Sequence, residues 1–197
     1  ILDLISKVAS QVFIPFCVGG GIGSIEDIRS TILAGAEKIS LNSQAVKNPE
    51  LISQGARIFG NQCIVLGMDA ARDPKMASGY RVFINGGRVA TDLDALDWAK
   101  RAVELGAGEI VLNSIDADGT KAGYELTLTR LIADAVTVPV IASGGGGTVS
   151  HIADVVSHSL TGGHADAALI ASMVHSGEYT LESIKKQLHQ MSVPVRL

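Results

Sequence analysis

Short apolar runs that end in glycine or a polar residue alternate along the chain with stretches of helical periodicity. Six runs of strand length stand out: residues 12–18, 38–41, 63–68, 109–112, 138–142 and 167–170. Helix starts lie between them, at Ser24 with Asp27 three residues on, at Asn48–Pro49–Glu50, at Thr91–Asp92 and at Thr180. These residue types accept hydrogen bonds from the free N–H groups of a first helical turn, or preset its φ. Gly106 supplies a helix stop, and residues 1–11 read as an amphipathic segment carrying Asp3 and Lys7. Strand and helix alternating in this way predict βα units around a parallel sheet. One departure is a β-hairpin with arms 80–84 and 88–90 around Asn85, Gly86 and Gly87, inserted after the third strand and projecting over the active face. Nothing linker-like or of low complexity divides the chain, so residues 1–197 read as one domain.

The chain also repeats itself. "CVGGGI" at 17–22 matches "IASGGGG" at 141–147, and "GAEKISLNS" at 35–43 matches "HADAALIAS" at 164–172. The offset of roughly 125 residues is half of a barrel of about 250 residues, which points to two (βα)₄ halves. The strands ending at Asp69 and at Asp116–Asp118 have no counterpart one offset upstream. The expected fold is therefore an α/β chain of the (β/α)₈ TIM-barrel type, built of two half-barrel repeats and lacking the first two strands.

Composition fits that picture. Of 197 residues 47% are hydrophobic, only 4% are aromatic and 22 are glycine, as expected of short aliphatic strands and glycine turns. A net charge of −4 without any Lys/Arg run leaves no footprint for nucleic acid or an anionic membrane surface, so an anion must be held locally. No apolar stretch reaches the roughly 18 residues that span a bilayer. Cys17 and Cys63 sit in apolar runs, which predicts core packing in a reduced, cytoplasmic compartment rather than a disulfide. Residues 1–11 lack the uninterrupted apolar stretch of a signal peptide, and the first residue is Ile rather than Met.

Glycine at the C-terminal end of a barrel strand lets backbone N–H groups and a following helix N-terminus approach an anion. Two such clusters at repeat-related positions predict two phosphate sites. Gly19, Gly20 and Gly21 with Asn42 and Ser43 form the first; Gly144, Gly145, Gly146 and Gly147 with Ala171 and Ser172 form the second. Two sites across one mouth imply a small substrate with two phosphate ends. Asp69 closes an otherwise apolar strand between them, where a carboxyl can shuttle a proton. Asp118 precedes the anion-friendly turn at Gly119, Asp116 reads as a turn or cap residue, and Asn113 offers an amide to a substrate. Lys38 and Glu109 begin strands at the opposite end, where they either close the barrel floor or are solvated. The five histidines show no metal-ligand spacing, so neither metal nor cofactor is expected; His151 and His158 read as exposed positions on one helix, and Trp98 as packing outside the barrel wall.

"PFCVGGGI", "KISLNSQAV", "GMDA", "GAGEIVLNSIDADGTKAGYE" and "PVIASGGGG" together resemble the cyclase subunits of imidazole glycerol phosphate synthase, from histidine biosynthesis. The resemblance covers essentially the whole chain. It implies a duplicated half-barrel and the substrate phosphoribulosyl-formimino-aminoimidazole-carboxamide ribonucleotide. With ammonia this gives imidazole glycerol phosphate and aminoimidazole carboxamide ribonucleotide. It implies Asp69 as a catalytic acid/base with Asp118 in support, Asn42 and Asn113 as substrate contacts, and the glycine loops with Ser143, Ala171 and Ser172 as the phosphate sites. Lys38 and Glu109 become members of a charged ring through which ammonia arrives from a separate glutaminase subunit. The family's other catalytic aspartate lies on a first strand that this chain lacks. The chain is accordingly expected to be a truncated product, inactive alone, and to self-associate through two long unpaired sheet edges. Gly162 and Gly163 lengthen the turn before the last strand. Two alternatives are the isomerase of the preceding step, which also takes a bisphosphate, and a non-catalytic phosphate-binding module.

Overall fold

In the computed structural model, which describes residues 1–197, the two faces of each strand meet different surroundings. The elements are α1 (Leu2–Ala9), β1 (Cys17–Gly19), α2 (Ile25–Leu33), β2 (Lys38–Leu41), α3 (Ser43–Lys47), α4 (Glu50–Phe59), β3 (Ile64–Arg72), β4 (Tyr80–Ile84), β5 (Val89–Asp94), α5 (Ala95–Leu105), β6 (Glu109–Ser114), α6 (Leu126–Ala133), β7 (Val140–Ser143), α7 (Val149–Val156), β8 (Ala167–Ala168), α8 (Ser172–His175) and α9 (Leu181–Gln190). Ile39, Leu41, Ile64, Leu66, Met68, Ile110, Leu112, Val140 and Ala142 project to the side covered by helices and are buried almost completely. Each large side chain among them stabilises the fold by about 1.5–3 kcal/mol through removal from water. The alternate positions carry Lys38, Ser40, Gly67, Asp69, Glu109, Asn113 and Ser143 together with Val65, Val111 and Ile141, so the polar side chains of these strands gather on the other face.

Six strands run parallel in the order β1-β2-β3-β6-β7-β8, and β4 and β5 form an antiparallel hairpin on β3. Sequential order with helices between strands is the (β/α)₈ barrel pattern, here with six parallel strands. The edges β1 and β8 are three and two residues long. That corrects the expectation of two long unpaired edges. Edges this short give little template for another chain.

Several boundaries differ from the sequence reading. The first strand starts at Cys17 rather than at residue 12, and Phe13 and Ile14 are 92% and 71% exposed. Pro15 lacks the N–H a ladder needs. The third strand runs on to Arg72 because β4 pairs with it beyond Asp69. The last strand ends at Ala168 instead of residue 170, the Leu169 carbonyl being taken by the Tyr124 hydroxyl at 2.9 Å. Thr91 and Asp92 lie within β5; the cap of α5 is Asp94, whose carboxylate accepts from the N–H groups of Leu96 and Asp97. Pro49 rather than Asn48 stands at the N-cap of α4. Ser24 and Thr180 cap α2 and α9 as their sequences predict, and Gly106 closes α5 at φ 110°.

The lengthened turn between α7 and β8 is fastened by His164. Its Nδ1 meets Asp134 Oδ1 at 2.7 Å and its Nε2 meets the Ser159 carbonyl at 2.9 Å. Both partners only accept, so both are satisfied together only by the doubly protonated ring. The hydrogen bond to Asp134, then that to Ser159, raises the pKa above its ordinary 6.5, with Arg130 opposing. His158 stacks on the same ring at 5.2 Å. A raised folded-state pKa gives a contribution that is whole below the unfolded pKa and lost as pH rises through the folded one. The unfolding midpoint of the protein should therefore exceed that of His164→Gln by more at about pH 6 than at about pH 8.5. A gap that is constant or widens with pH contradicts the assignment.

Candidate functional site

One turn is built twice at the C-terminal ends of the parallel strands. Gly20 and Gly21 have φ of 94° and 74°, and Gly144 and Gly145 have φ of 89° and 98°. Each loop then enters its helix through a hydroxyl cap of matching backbone, Ser24 at φ −142°, ψ 163° and Thr148 at φ −140°, ψ 164°. Ahead of each cap a glycine N–H is held by the residue three beyond it. Gly23 donates to Asp27 Oδ2 at 3.1 Å, and Gly147 donates to His151 Nδ1 at 3.2 Å. His151 is thus half-buried and structural rather than simply exposed, while His158 lies past the end of α7.

The two turns differ in what surrounds them. A side chain on Gly20 or Gly21 would meet nothing within 4 Å, whereas a Cβ on Gly145 would lie 2.0 Å from the Gly123 carbonyl oxygen and one on Gly146 2.4 Å from the Tyr124 hydroxyl. The second loop is wedged under residues 117–124, and the first opens directly onto a cavity. That first cavity, of about 260 Å³, is lined by Gly20, Gly21, Asn42, Ser43, Gln44, Lys47 and Asn85 among others. The second, of about 140 Å³, is lined by Asp118, Gly119, Lys121, Ser143, Gly144, Gly145, Ala171 and Ser172 among others. Lys47, Asn85 and Lys121 escaped the sequence reading. Lys47 follows Ser43 by one helical turn and Lys121 follows Asp118 by three residues, spacings that carry meaning only once the glycine loops are in place. The α3 and α8 segments behind Ser43 and Ser172 are single short helices.

Between the cavities stands Asp69. It is the one buried carboxylate of the chain, 9% exposed. The register of β3 on β6 sets it opposite Asn113. Asn113 Nδ2 donates to Oδ1 at 3.0 Å and Asn42 Nδ2 donates to Oδ2 at 2.9 Å, so each oxygen keeps further acceptor capacity and the group is fixed in orientation. Asn42 Oδ1 is buried with no partner. Asp118 is exposed at the second cavity and joins none of these bonds. Asp116 accepts the Arg72 N–H at 2.8 Å and ties β3 to the β6–α6 loop, a structural role.

At the N-terminal ends, Lys38 of β2 and Glu109 of β6 pair directly with one another, with partly exposed side chains. They pair with each other across the sheet rather than standing separately solvated. Cys17 is exposed on β1 instead of packing in the core, and surrounding protein together with Glu109 pushes its thiol up to about 11. Cys63 lies in a 3₁₀ turn ahead of β3. Trp98 is buried on α5 in the main apolar cluster. No three His, Cys, Asp or Glu side chains gather where they would hold a metal ion, and no helix is long and apolar enough to cross a membrane.

A family model described as "Histidine biosynthesis protein" matches residues 1–180. Proteins called imidazole glycerol phosphate synthase subunit HisF are similar over nearly the whole chain. The one from Desulforapulum autotrophicum is 61% identical over 198 aligned residues, 99% of this chain and 75% of that protein. Those from Desulfatibacillum aliphaticivorans and Syntrophobacter fumaroxidans are each 59% identical, again over 99% of this chain and 75% of theirs.

The unequal surroundings of the two glycine turns set an expectation. Gly20→Ala meets only the penalty of a left-handed backbone, about 1–2 kcal/mol. Gly145→Ala adds a clash with backbone and should cost clearly more in urea unfolding; equal costs would show that the second loop is not wedged as described.

Proposed function

The chain belongs to the histidine-biosynthesis family and within it to the cyclase subunits of imidazole glycerol phosphate synthase, and from that premise we propose a role for each part of the mouth. The two cavities take the two phosphates of phosphoribulosyl-formimino-aminoimidazole-carboxamide ribonucleotide, the first on Gly20, Gly21 and Ser43, the second on Gly119, Ser143, Gly144, Gly145, Ala171 and Ser172. Asp69 moves protons between them as ammonia adds, the chain of the substrate breaks and the imidazole closes, releasing imidazole glycerol phosphate and aminoimidazole carboxamide ribonucleotide. The observation that supports this most strongly is a buried carboxylate gripped at both oxygens between two turns of the same geometry. A general acid/base needs both a fixed direction and shelter from water.

Asn42 adds a further element. Its amide N–H is spent on Asp69 and its Oδ1 is buried and unpartnered, so the incoming ammonia or a substrate N–H satisfies it. Asn113 aligns Asp69 from the other side and Asp118 supports the second phosphate turn. The Lys38–Glu109 pair lies at the opposite end of the same polar face, where ammonia from a glutaminase subunit enters, and it must part to let a molecule through. The setting is cytoplasmic biosynthesis. The isomerase reading is not favoured, because the similar proteins carry the cyclase name.

Ligand recognition is the test within reach. In ³¹P NMR both phosphorus resonances of the bisphosphate should shift together with one dissociation constant, and Asp69→Asn should leave that binding intact. A shift of only one resonance contradicts the two-cavity reading.

A further inference from the structure

The β4–β5 hairpin reaches the first cavity and the β6–α6 loop whose residues line the second. β4 joins β3 beyond the point where β2 stops: β2 pairs with Ile64 to Leu66, and β4 pairs with Asp69 to Arg72 on the same flank. At its tip Asn85, held at φ 56°, donates its backbone N–H to Ser43 Oγ at 2.8 Å and lines the first cavity. Ser43 Oγ accepts that bond, so its own proton is left to donate into the cavity. Next along the tip, a Cβ on Gly87 would lie 3.2 Å from Ile115 Cδ1, on the loop that leads to the second cavity.

The base of the hairpin reaches that loop as well. The buried Tyr80 hydroxyl donates to Glu125 Oε1 at 2.7 Å, and Arg72 Nη2 donates to the same oxygen at 2.8 Å. Glu125 is the N-cap residue of α6 and closes the segment that carries Asp118, Gly119 and Lys121. The hairpin itself is tied across its strands by Thr91 Oγ1 to the Val82 carbonyl at 2.7 Å and by Arg81 Nη1 to Asp92 Oδ1 at 3.3 Å, and Arg81 Nε fastens it to Asp73, just past β3, at 2.6 Å. A stiff element thus touches Ser43 at one end and the second anion loop at the other. Burial, with Glu125 beside it, pushes the Tyr80 phenol up to about 12, so it stays a donor through the neutral range.

We propose that this hairpin is a brace that fixes the separation of the two anion cavities, with Tyr80 and Glu125 as positioning residues that make the mouth select a bisphosphate by its length. The proposal rests on the two-phosphate reading above and adds what sets the span. A ligand held at one cavity is indifferent to that span. One held at both is not, since a small misplacement of one end strains the whole ligand.

Titration calorimetry with inorganic phosphate and with the bisphosphate substrate, in the absence of ammonia, separates these cases. For Tyr80→Phe, phosphate affinity should stay within about twofold while bisphosphate affinity falls by roughly tenfold. Glu125→Gln, which preserves size and an acceptor for Tyr80 but removes the charge facing Arg72, should show the same split more weakly and carries the test if Tyr80→Phe folds poorly. Unchanged bisphosphate affinity, or equal losses for both ligands, overturns the brace and leaves Tyr80 a merely structural side chain. Failure of the unaltered protein to bind phosphate in either cavity would instead refute the two-phosphate reading.

Discussion

Removing a carboxylate from water costs several kcal/mol unless hydrogen bonds replace those it gives up. At Asp69 the replacement comes from two amides, and both are delivered by strand register. Parallel pairing of β3 with β6 puts Asn113 directly alongside, and β2 ends so that Asn42 reaches the other oxygen from the opposite flank. The same register sends the large aliphatic side chains of these strands to the helix side, so the core and the polar mouth are two faces of one alternation. A one-residue slip of β3 would turn the carboxylate to the helix side, among Ile110 and Leu112, and turn Leu66 and Met68 out of the core.

Around this centre the mouth is nearly symmetric in backbone and asymmetric in chemistry. The glycine turns share their left-handed angles and their helix entries, yet Asp27 holds the first and His151 the second. The first cavity is the larger and has Asn85 of the hairpin in its lining, and the second is smaller and pressed beneath the β6–α6 loop. A ligand with two similar phosphates but dissimilar remainders is suited to such a pair, since the ends are gripped alike while the flanking contacts tell them apart.

Much of this was legible in the sequence, for identifiable reasons. Glycine pairs at strand ends advertise positive φ, so both turns and their repeat could be read directly, and Ser24 and Thr180 announced their helices because a cap is a local hydrogen bond. Register is not local. Nothing near Asp69 in the sequence shows that Asn42 and Asn113 would grip it, and the roles of Lys47, Lys121 and Asn85 depend on segments brought together only in the fold. Errors arose where two local rules competed. Thr91, Asp92 and Asp94 all suit a cap, and pairing with β4 selected Asp94; the apolar run before Cys17 looked like strand until Pro15 and the exposed Phe13 and Ile14 excluded it. Edge length, which bears on association, was likewise set by tertiary contacts, the Tyr124 hydroxyl drawing the Leu169 carbonyl out of β8.

The central claim is that one ligand lies across the mouth with its phosphates in the two glycine turns and its reacting atoms over Asp69. A crystal structure of the protein with the bisphosphate substrate bound, without ammonia, tests it most directly. The account predicts one phosphate against Gly20, Gly21 and Ser43, the other against Gly144, Gly145 and Ser172, and the connecting chain within hydrogen-bond reach of Asp69 and Asn42 Oδ1. A ligand seated with either phosphate outside these turns, or with its chain turned away from Asp69, would contradict it.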